Sequence, residues 1–198
     1  MTTTGWMTLT ALGVVVLWAV FAYNRLVMLR NRIANAFAQI DVQLRRRYDL
    51  IPNLVEVARG YLQHESRTLE AVIAARGQAV SAAQAARAQP TSAPLVGALA
   101  SAEGLLGGSL GRLLAVAENY PDLKADATMR ELSEELSSTE NRLGFARQAY
   151  NDQVLQFNDA AMQFPALIVA RLLGFAPAAM LESTRSDAER EAPRVSFG

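Results

Sequence analysis

His64-Glu65 is the pair that most invites a chemical reading, because a His-Glu dipeptide on a helix with a second His four residues after the first is a zinc-hydrolase arrangement. Position 68 is Thr, and His64 is the single histidine. A di-iron bundle, which needs two Glu-x-x-His pairs on facing helices, fails for the same reason. His64 therefore reads as a surface or interhelix residue. The chain has no Cys, which removes disulfide frameworks, thiolate nucleophiles and structural zinc. The run from Gly104 through Gly107 and Gly108 to Gly111 is glycine-rich, but no Lys-Ser/Thr follows and no strand precedes it, so it is not a phosphate-binding loop. Gly104 with Gly108, and Gly107 with Gly111, instead form two small-x-x-x-small faces that permit close helix approach. No catalytic residue, cofactor, metal ligand or small-molecule substrate is expected, and the chain reads as a non-enzyme.

Arg45, Arg46 and Arg47 form the densest cationic cluster. Nucleic acid is a poor partner for it, because no aromatic ladder is interleaved and 19 basic residues balance 19 acidic ones. The cluster also lies some twenty residues beyond an apolar N-terminal stretch, ~30 Å along a helix and past the ~8–10 Å screening length, so lipid of its own membrane is out of reach. Asn24, Asn31, Asn35, Asp41, Glu140, Asn141 and Asn151 fall near helix seams. Polar groups there cost stability unless paired and often fix register, which is the structural role expected of them.

The elements that must position these residues follow from pattern. With 51% apolar and 19% charged residues in 198, the chain is not disordered. Residues 1–24 carry no charged side chain, and Trp6 through Tyr23 form a nearly continuous apolar stretch. Eighteen residues at ~1.5 Å cover ~27 Å, close to the hydrocarbon thickness of a bilayer. A cleavable signal is the competing reading, since Val20-Phe21-Ala22 loosely resembles a cleavage site. No Lys or Arg precedes the apolar run, however, and no turn residue separates it from the helix that follows. Arg25, Arg30 and Arg32 lie just after the stretch, which by the positive-inside rule places the N-terminus outside and the rest in the cytoplasm.

Helical spacing dominates the remainder, so the body is all-α, an antiparallel four-helix bundle with long helices over residues 25–181, followed by a charged extended tail at 182–198. The first helix is expected to continue from the membrane to about Tyr48, where Asp49 and Pro52 end it. A second is expected over about 54–90 with a kink at Gly60, a third over about 95–119, and a fourth capped by Asp122 with its seam at Leu132, Leu136, Thr139, Leu143, Ala146, Tyr150, Val154, Phe157, Ala161 and Phe164. A second membrane span over Leu95–Ala117 competes with the bundle reading, although Glu103 would be costly there. Residues 25–60 carry a net charge of +4 and residues 122–164 of −4. Helices one and four should therefore be neighbours, with Arg45, Arg46 and Arg47 approaching Glu134, Glu135 or Glu140. Helices two and four would overshoot helix one, so they bend or end early, or the segments beyond them return to the bilayer. The apolar 164–181 segment is expected either to plug the bundle or to lie in the membrane interface.

Several runs resemble the LemA family: Tyr23-Asn24 with Leu29-Arg30-Asn31, Ala36-Phe37-Ala38-Gln39-Ile40-Asp41, and above all Arg46-Arg47-Tyr48-Asp49-Leu50-Ile51-Pro52-Asn53. Further matches stand at Glu118-x-Tyr120-Pro121, Thr139-Glu140-Asn141-Arg142, Tyr150-Asn151, Phe164-Pro165 and Pro193-x-Val195-x-Phe197. Residues 77–112 depart from the family by being Ala/Gly-rich and apolar. The resemblance implies a bacterial inner-membrane protein with one N-terminal span, a helical bundle and no established catalysis, and by analogy a role in organising membrane. Expected partners are the lipid bilayer and further copies of the chain. Those copies would be joined through the charges of helices one and four and the small faces of helix three, the alternative being a membrane-anchored adaptor that binds a membrane protease or envelope-stress partner through an exposed groove of the bundle.

Overall fold

A computed structural model of the chain describes residues 3–181, arranged as α1 (Thr3–Tyr61), α2 (Ser66–Ala88), α3 (Ala93–Ala117), α4 (Pro121–Ala125), α5 (Ala127–Met162) and α6 (Ala166–Leu172), with no strand among the described residues. The tail expected at 182–198, with its Pro193-x-Val195-x-Phe197 motif, lies outside them.

The first correction concerns α1, a single helix of 59 residues that passes through Pro52 instead of ending before it. Proline lacks the N–H that would bond the carbonyl four residues back, which leaves the Tyr48 carbonyl without its helical donor. Arg76 of α2 supplies the replacement, its Nε donating to the Tyr48 oxygen at 2.7 Å. The buried stripe persists on both sides of this point: Leu26, Leu29, Ile33, Phe37, Ile40, Leu44, Tyr48, Ile51, Val55, Ala58 and Leu62. Their steps average about 3.6 residues, the period of a straight helix, so one face stays buried without supercoiling. Leu29 lies in this stripe, and Arg30 beside it is exposed.

The second helix does not run from 54 to 90. A turn at 62–65, carrying the exposed His64, separates α1 from α2, and no kink is needed at Gly60. Asp126, and not Asp122, caps α5: its Oδ1 accepts from the Met129 N–H at 2.9 Å, while Asp122 sits in the short α4.

These boundaries resolve the length mismatch. Beyond residue 24, α1 extends ~55 Å, and the 36-residue α5 extends ~54 Å beside it, whereas α2 and α3, at 23 and 25 residues, reach only ~35–38 Å. The result is an up-down-up-down bundle with two thicknesses. Its distal part holds four helices, fixed in register by Arg87 of α2 beside Asp41 and by Glu103 of α3 beside Arg47. Nearer the apolar N-terminal stretch of α1, α1 and α5 continue as a pair, with Phe37 edge-on to Tyr150 at 5.8 Å.

Residues 175–181 complete the thinner part. Asn158 accepts from the Ala178 N–H and donates to its carbonyl, both at 2.9 Å, and Asn151 does the same with Leu181 at 2.9 and 3.2 Å. Seven residues of helix rise ~10.5 Å and three extended residues span ~10 Å, so the two amides fall in register with the segment they hold. The Tyr150 hydroxyl meets the Pro90 and Ala179 carbonyls, tying this strap to the α2–α3 turn. Burial pushes that phenol up to about 12.

Two measurements on detergent-solubilised protein test this framework. Arg76→Ala should destabilise by about 1.5–3 kcal/mol, the worth of a hydrogen bond from a charged donor, and by much less in a Pro52→Ala background whose restored N–H bonds the Tyr48 carbonyl; equal losses in the two backgrounds would refute the compensation. The Met129 N–H holds the Asp126 carboxyl below its ordinary value of 3.8, so its stabilisation is present above that value and lost as pH falls through the lower folded one. Asp126→Ala should therefore lower Tm at pH 7, with the difference from wild type closing under strong acid.

Candidate functional site

Two constellations stand out, one of charge at mid-bundle and one of apolar surface where α5 and α6 meet α1. The first centres on Arg47, which is buried although it is the third of three consecutive arginines. Successive helix residues are set ~100° apart, so the three side chains must take different environments. Arg45 turns back to Asp41 at 2.6 Å. Arg46 reaches Glu135 on the exposed side of α5 at 2.5 Å. Arg47 points inward, its Nη1 donating to Glu103 Oε2 of α3 at 2.8 Å and lying 3.0 Å from Glu140 Oε2 of α5. Glu140 in turn accepts from Arg147 at 2.8 Å.

The other Glu103 oxygen accepts from the Tyr48 hydroxyl at 2.6 Å. Burial raises the Glu103 carboxyl above its ordinary range, opposed by Arg47 and by the Tyr48 bond. Burial and the facing Glu103 charge push the Tyr48 phenol well above its own. Asp41 is buried and takes Arg87 through one oxygen and Arg45 through the other. The lattice thus joins all four long helices through charges, so that removing one partner leaves the other buried and uncompensated.

Of the residues singled out from sequence, Arg46 and Glu135 meet, as do Arg47 and Glu140, while Arg45 stays on its own helix and the exposed Glu134 makes no ion pair among the described residues. Asn24, Asn31, Asn35 and Asn141 are exposed and not at seams, because the stripe of α1 passes through Leu26, Leu29 and Ile33 and that of α5 through Leu136, Thr139 and Leu143. Asp41 and Asn151 do make contacts between elements, Asp41 with Arg87 of α2 and Asn151 with the Leu181 main chain. Gly104 and Gly107 are half-buried; Gly108 and Gly111 are exposed, and no atom of another side chain or element lies within 4 Å of where a Cβ would stand on either. No sequence pattern marks Arg87, Arg147 or Asn158, and the sequence marks Glu103 only as an obstacle to a membrane span. The legible signal was there: one acidic residue on an otherwise apolar helix face demands a partner.

That pairing also decides the character of α3. It is long and apolar enough to cross a bilayer, yet Val96, Leu99, Glu103, Leu106, Leu110 and Leu113 are all buried, so it is a core helix of the bundle. The N-terminal part of α1 has the opposite character. Its apolar stretch is the other one long enough to cross, and Trp6, Leu12, Leu17, Val20 and Phe21 are all exposed.

Near the end of that stretch lies the second constellation. A cavity of ≈ 120 Å³ is lined by Trp18, Phe21 and Ala22 of α1, by Ala160 of α5, and by Phe164 and Pro165 ahead of α6. Phe164, expected as the last seam residue of the fourth helix, is 81% exposed. The 164–181 segment thus divides: Phe175, Ala178 and Leu181 pack on the core, while Phe164, Ile168, Leu172 and Leu173 face outward. Phe175 stacks edge-on against Tyr23 at 5.8 Å, beneath the Arg30 guanidinium at 5.6 Å.

Residues 36–197 match the family model of the LemA family, most of the chain. The chain belongs to the LemA family. It is similar to the magnetosome protein MamQ of Magnetospirillum gryphiswaldense, at 27% identity over 168 residues, and to magnetosome proteins MamQ 1 and MamQ 2 of Paramagnetospirillum magneticum, each at 28%. The matched part is 77% of this chain and 62% of each relative, so the chain spans less than two thirds of their length. Neither the family's name nor its relatives' denotes an enzyme. With its apolar N-terminal helix, this LemA-family chain is a membrane-associated helical protein. Among the described residues no three His, Asp or Glu side chains converge to hold a metal.

The lattice makes a direct prediction. Arg47→Met strands the Glu103 carboxylate in the core and should cost about 3–5 kcal/mol, whereas Arg47→Met with Glu103→Gln should recover much of it. Removing the cation raises the Glu103 carboxyl further, so the protonated folded state is favoured and the single variant's deficit should shrink as pH falls below neutral; a pH-independent deficit in denaturation would count against the pairing.

Proposed function

We propose that this LemA-family chain is a non-enzymatic, membrane-anchored scaffold that self-associates and organises the bacterial inner membrane, with the bundle on the cytoplasmic side. The observation that carries the reading is the continuity of α1, in which one helix supplies both the exposed apolar stretch and the central stave of the bundle. A hinge at residues 24–30 would let the bundle tumble. An uninterrupted helix with Leu26 and Leu29 already packed fixes the angle between rod and bilayer, which is what an array needs if it is to impose shape. Arg25, Arg30 and Arg32 support the cytoplasmic placement.

The route of self-association is narrowed by where the charges go. Arg46 and Arg47 are engaged with Glu135, Glu103 and Glu140 of their own chain, so complementary charge on α1 and α5 is consumed internally. The outer face of α3, with Gly108, Gly111 and the exposed Leu105, is the surface on which a second bundle fits closely.

Cross-linking in membranes tests the reading. Because space beside Gly108 is open, Gly108→Leu should not destabilise the monomer, and through helix propensity should raise its stability by up to about 1 kcal/mol, while removing a ladder of self-cross-links. A wild-type chain that cross-links only to one foreign partner would favour the adaptor role instead.

A further inference from the structure

The segment from Phe164 to Leu173 has no covering layer in the bundle. In α6, Val169 and Ala170 face the bundle, while Ile168 and Leu172 project the other way, one turn apart, and Phe164 precedes them at the same four-residue spacing. Phe164 is 81% and Leu172 79% exposed. Isolated exposed apolar residues are ordinary, but a contiguous cluster on a short helix marks an interaction site.

The position of the cluster along α1 says what covers it. Phe164 and Pro165 line one cavity with Trp18, Phe21 and Ala22, residues that belong to the uncharged stretch ending at Tyr23. The first charge of α1 comes only at Arg25, which lines the same cavity and, with Arg32 and Asp159, a second opening of ≈ 330 Å³ on the bundle side. Apolar and charged levels therefore change over at one height on α1 and on the α5–α6 corner together. Any bilayer deep enough to cover Trp18 and Phe21 also reaches Phe164 and Pro165. Arg171, exposed at the margin of the apolar face, can extend its guanidinium to the headgroups while its stem stays with the acyl chains.

We infer that residues 164–173 form a second membrane contact, an interfacial foot that enters the leaflet on the bundle side and is covered by lipid acyl chains of the bilayer that α1 crosses. The foot rests on the reading of α1 as a span. It gives the bundle two attachments to one leaflet, the span and the wedge beside it, so rotation of the rod about the axis of α1 is locked as well as its tilt. A wedge in one leaflet only also couples the protein to curvature, since interfacial helices bind according to lipid packing.

The absence of Cys makes single-site labelling clean. Leu12→Cys, Ile168→Cys, Leu172→Cys and, as the aqueous control, Phe145→Cys are each labelled with an environment-sensitive fluorophore in the full chain and reconstituted in vesicles of phosphatidylcholine and phosphatidylglycerol with brominated acyl chains. All four positions are exposed in the structure, so labelling should leave the circular dichroism unchanged. The inference expects blue-shifted, bromine-quenched emission at 168 and 172, strongest with bromine near the headgroup, deep quenching at 12, and none at 145. Unquenched, water-like emission at 168 and 172 with quenching retained at 12 overturns the foot and leaves the span standing. Loss of quenching at 12 overturns the span, and the foot with it.

Discussion

Tyr48 is the point on which the bundle depends. Its carbonyl, released by Pro52, accepts from Arg76 of α2; its hydroxyl donates to Glu103 of α3 and lies 3.2 Å from the Ala79 carbonyl of α2. Its ring fills the buried stripe of α1. One residue therefore connects the long helix to the whole α2–α3 hairpin, and it does so beside the position where proline would ordinarily end a helix. The usual cost of an interior proline, ~3 kcal/mol, is offset by a donor from a neighbouring helix. Continuity of α1 is accordingly a property of the tertiary structure, although everything proposed about the protein's rigidity is expressed through that single helix.

Charge in this protein acts mainly inside the bundle. Exposed pairs such as Arg46 with Glu135 contribute ~0–1 kcal/mol each, and the buried set of Arg47, Glu103 and Glu140 carries a desolvation cost that limits its net worth. What the buried set supplies is uniqueness. A one-turn slip of α5 along α1 would leave Glu140 away from Arg47, and a slip of α3 would strand Glu103 in an apolar core. The interior between those points is filled by Leu, Ile, Val and Ala, which by themselves tolerate several registers.

The two thicknesses of the rod have different solutions to the same problem. Where four helices are present, their apolar stripes cover one another. Where only α1 and α5 remain, the exposed stripes of two helices would be left half-covered, and an extended strap closes them, held by Asn151 and Asn158 through paired amide contacts to the main chain. Side-chain amides suit this task because each offers a donor and an acceptor to a main-chain segment that has no strand beside it. At the end of that thinner part the apolar surface passes from core to exterior, from Phe157 and Phe175 to Phe164 and Leu172.

Much of this was legible in the chain itself. The all-α body, the uncharged stretch, the four amphipathic segments and the α1–α5 neighbourhood follow from periodicity and from charge sums, because a helix has to bury its apolar stripe and complementary charges bias which stripes meet. LemA membership was legible in the run Arg46 to Asn53. Local rules misplaced the helix ends: Pro52 was read as a stop, Asp122 as the cap, and Asn24, Asn31 and Asn35 as seam residues. For Pro52 the outcome turned on a partner distant in sequence, for the three Asn on the angular phase of a long helix, which a change of one position in the starting register displaces by ~100°, and for Asp122 on the short α4 that intervenes before α5. The sequence determined which segments are helical and which surfaces are apolar. Only the tertiary structure decided that Arg76 carries α1 across its proline and that Phe164 faces out, since both depend on distances between residues that chain order does not constrain.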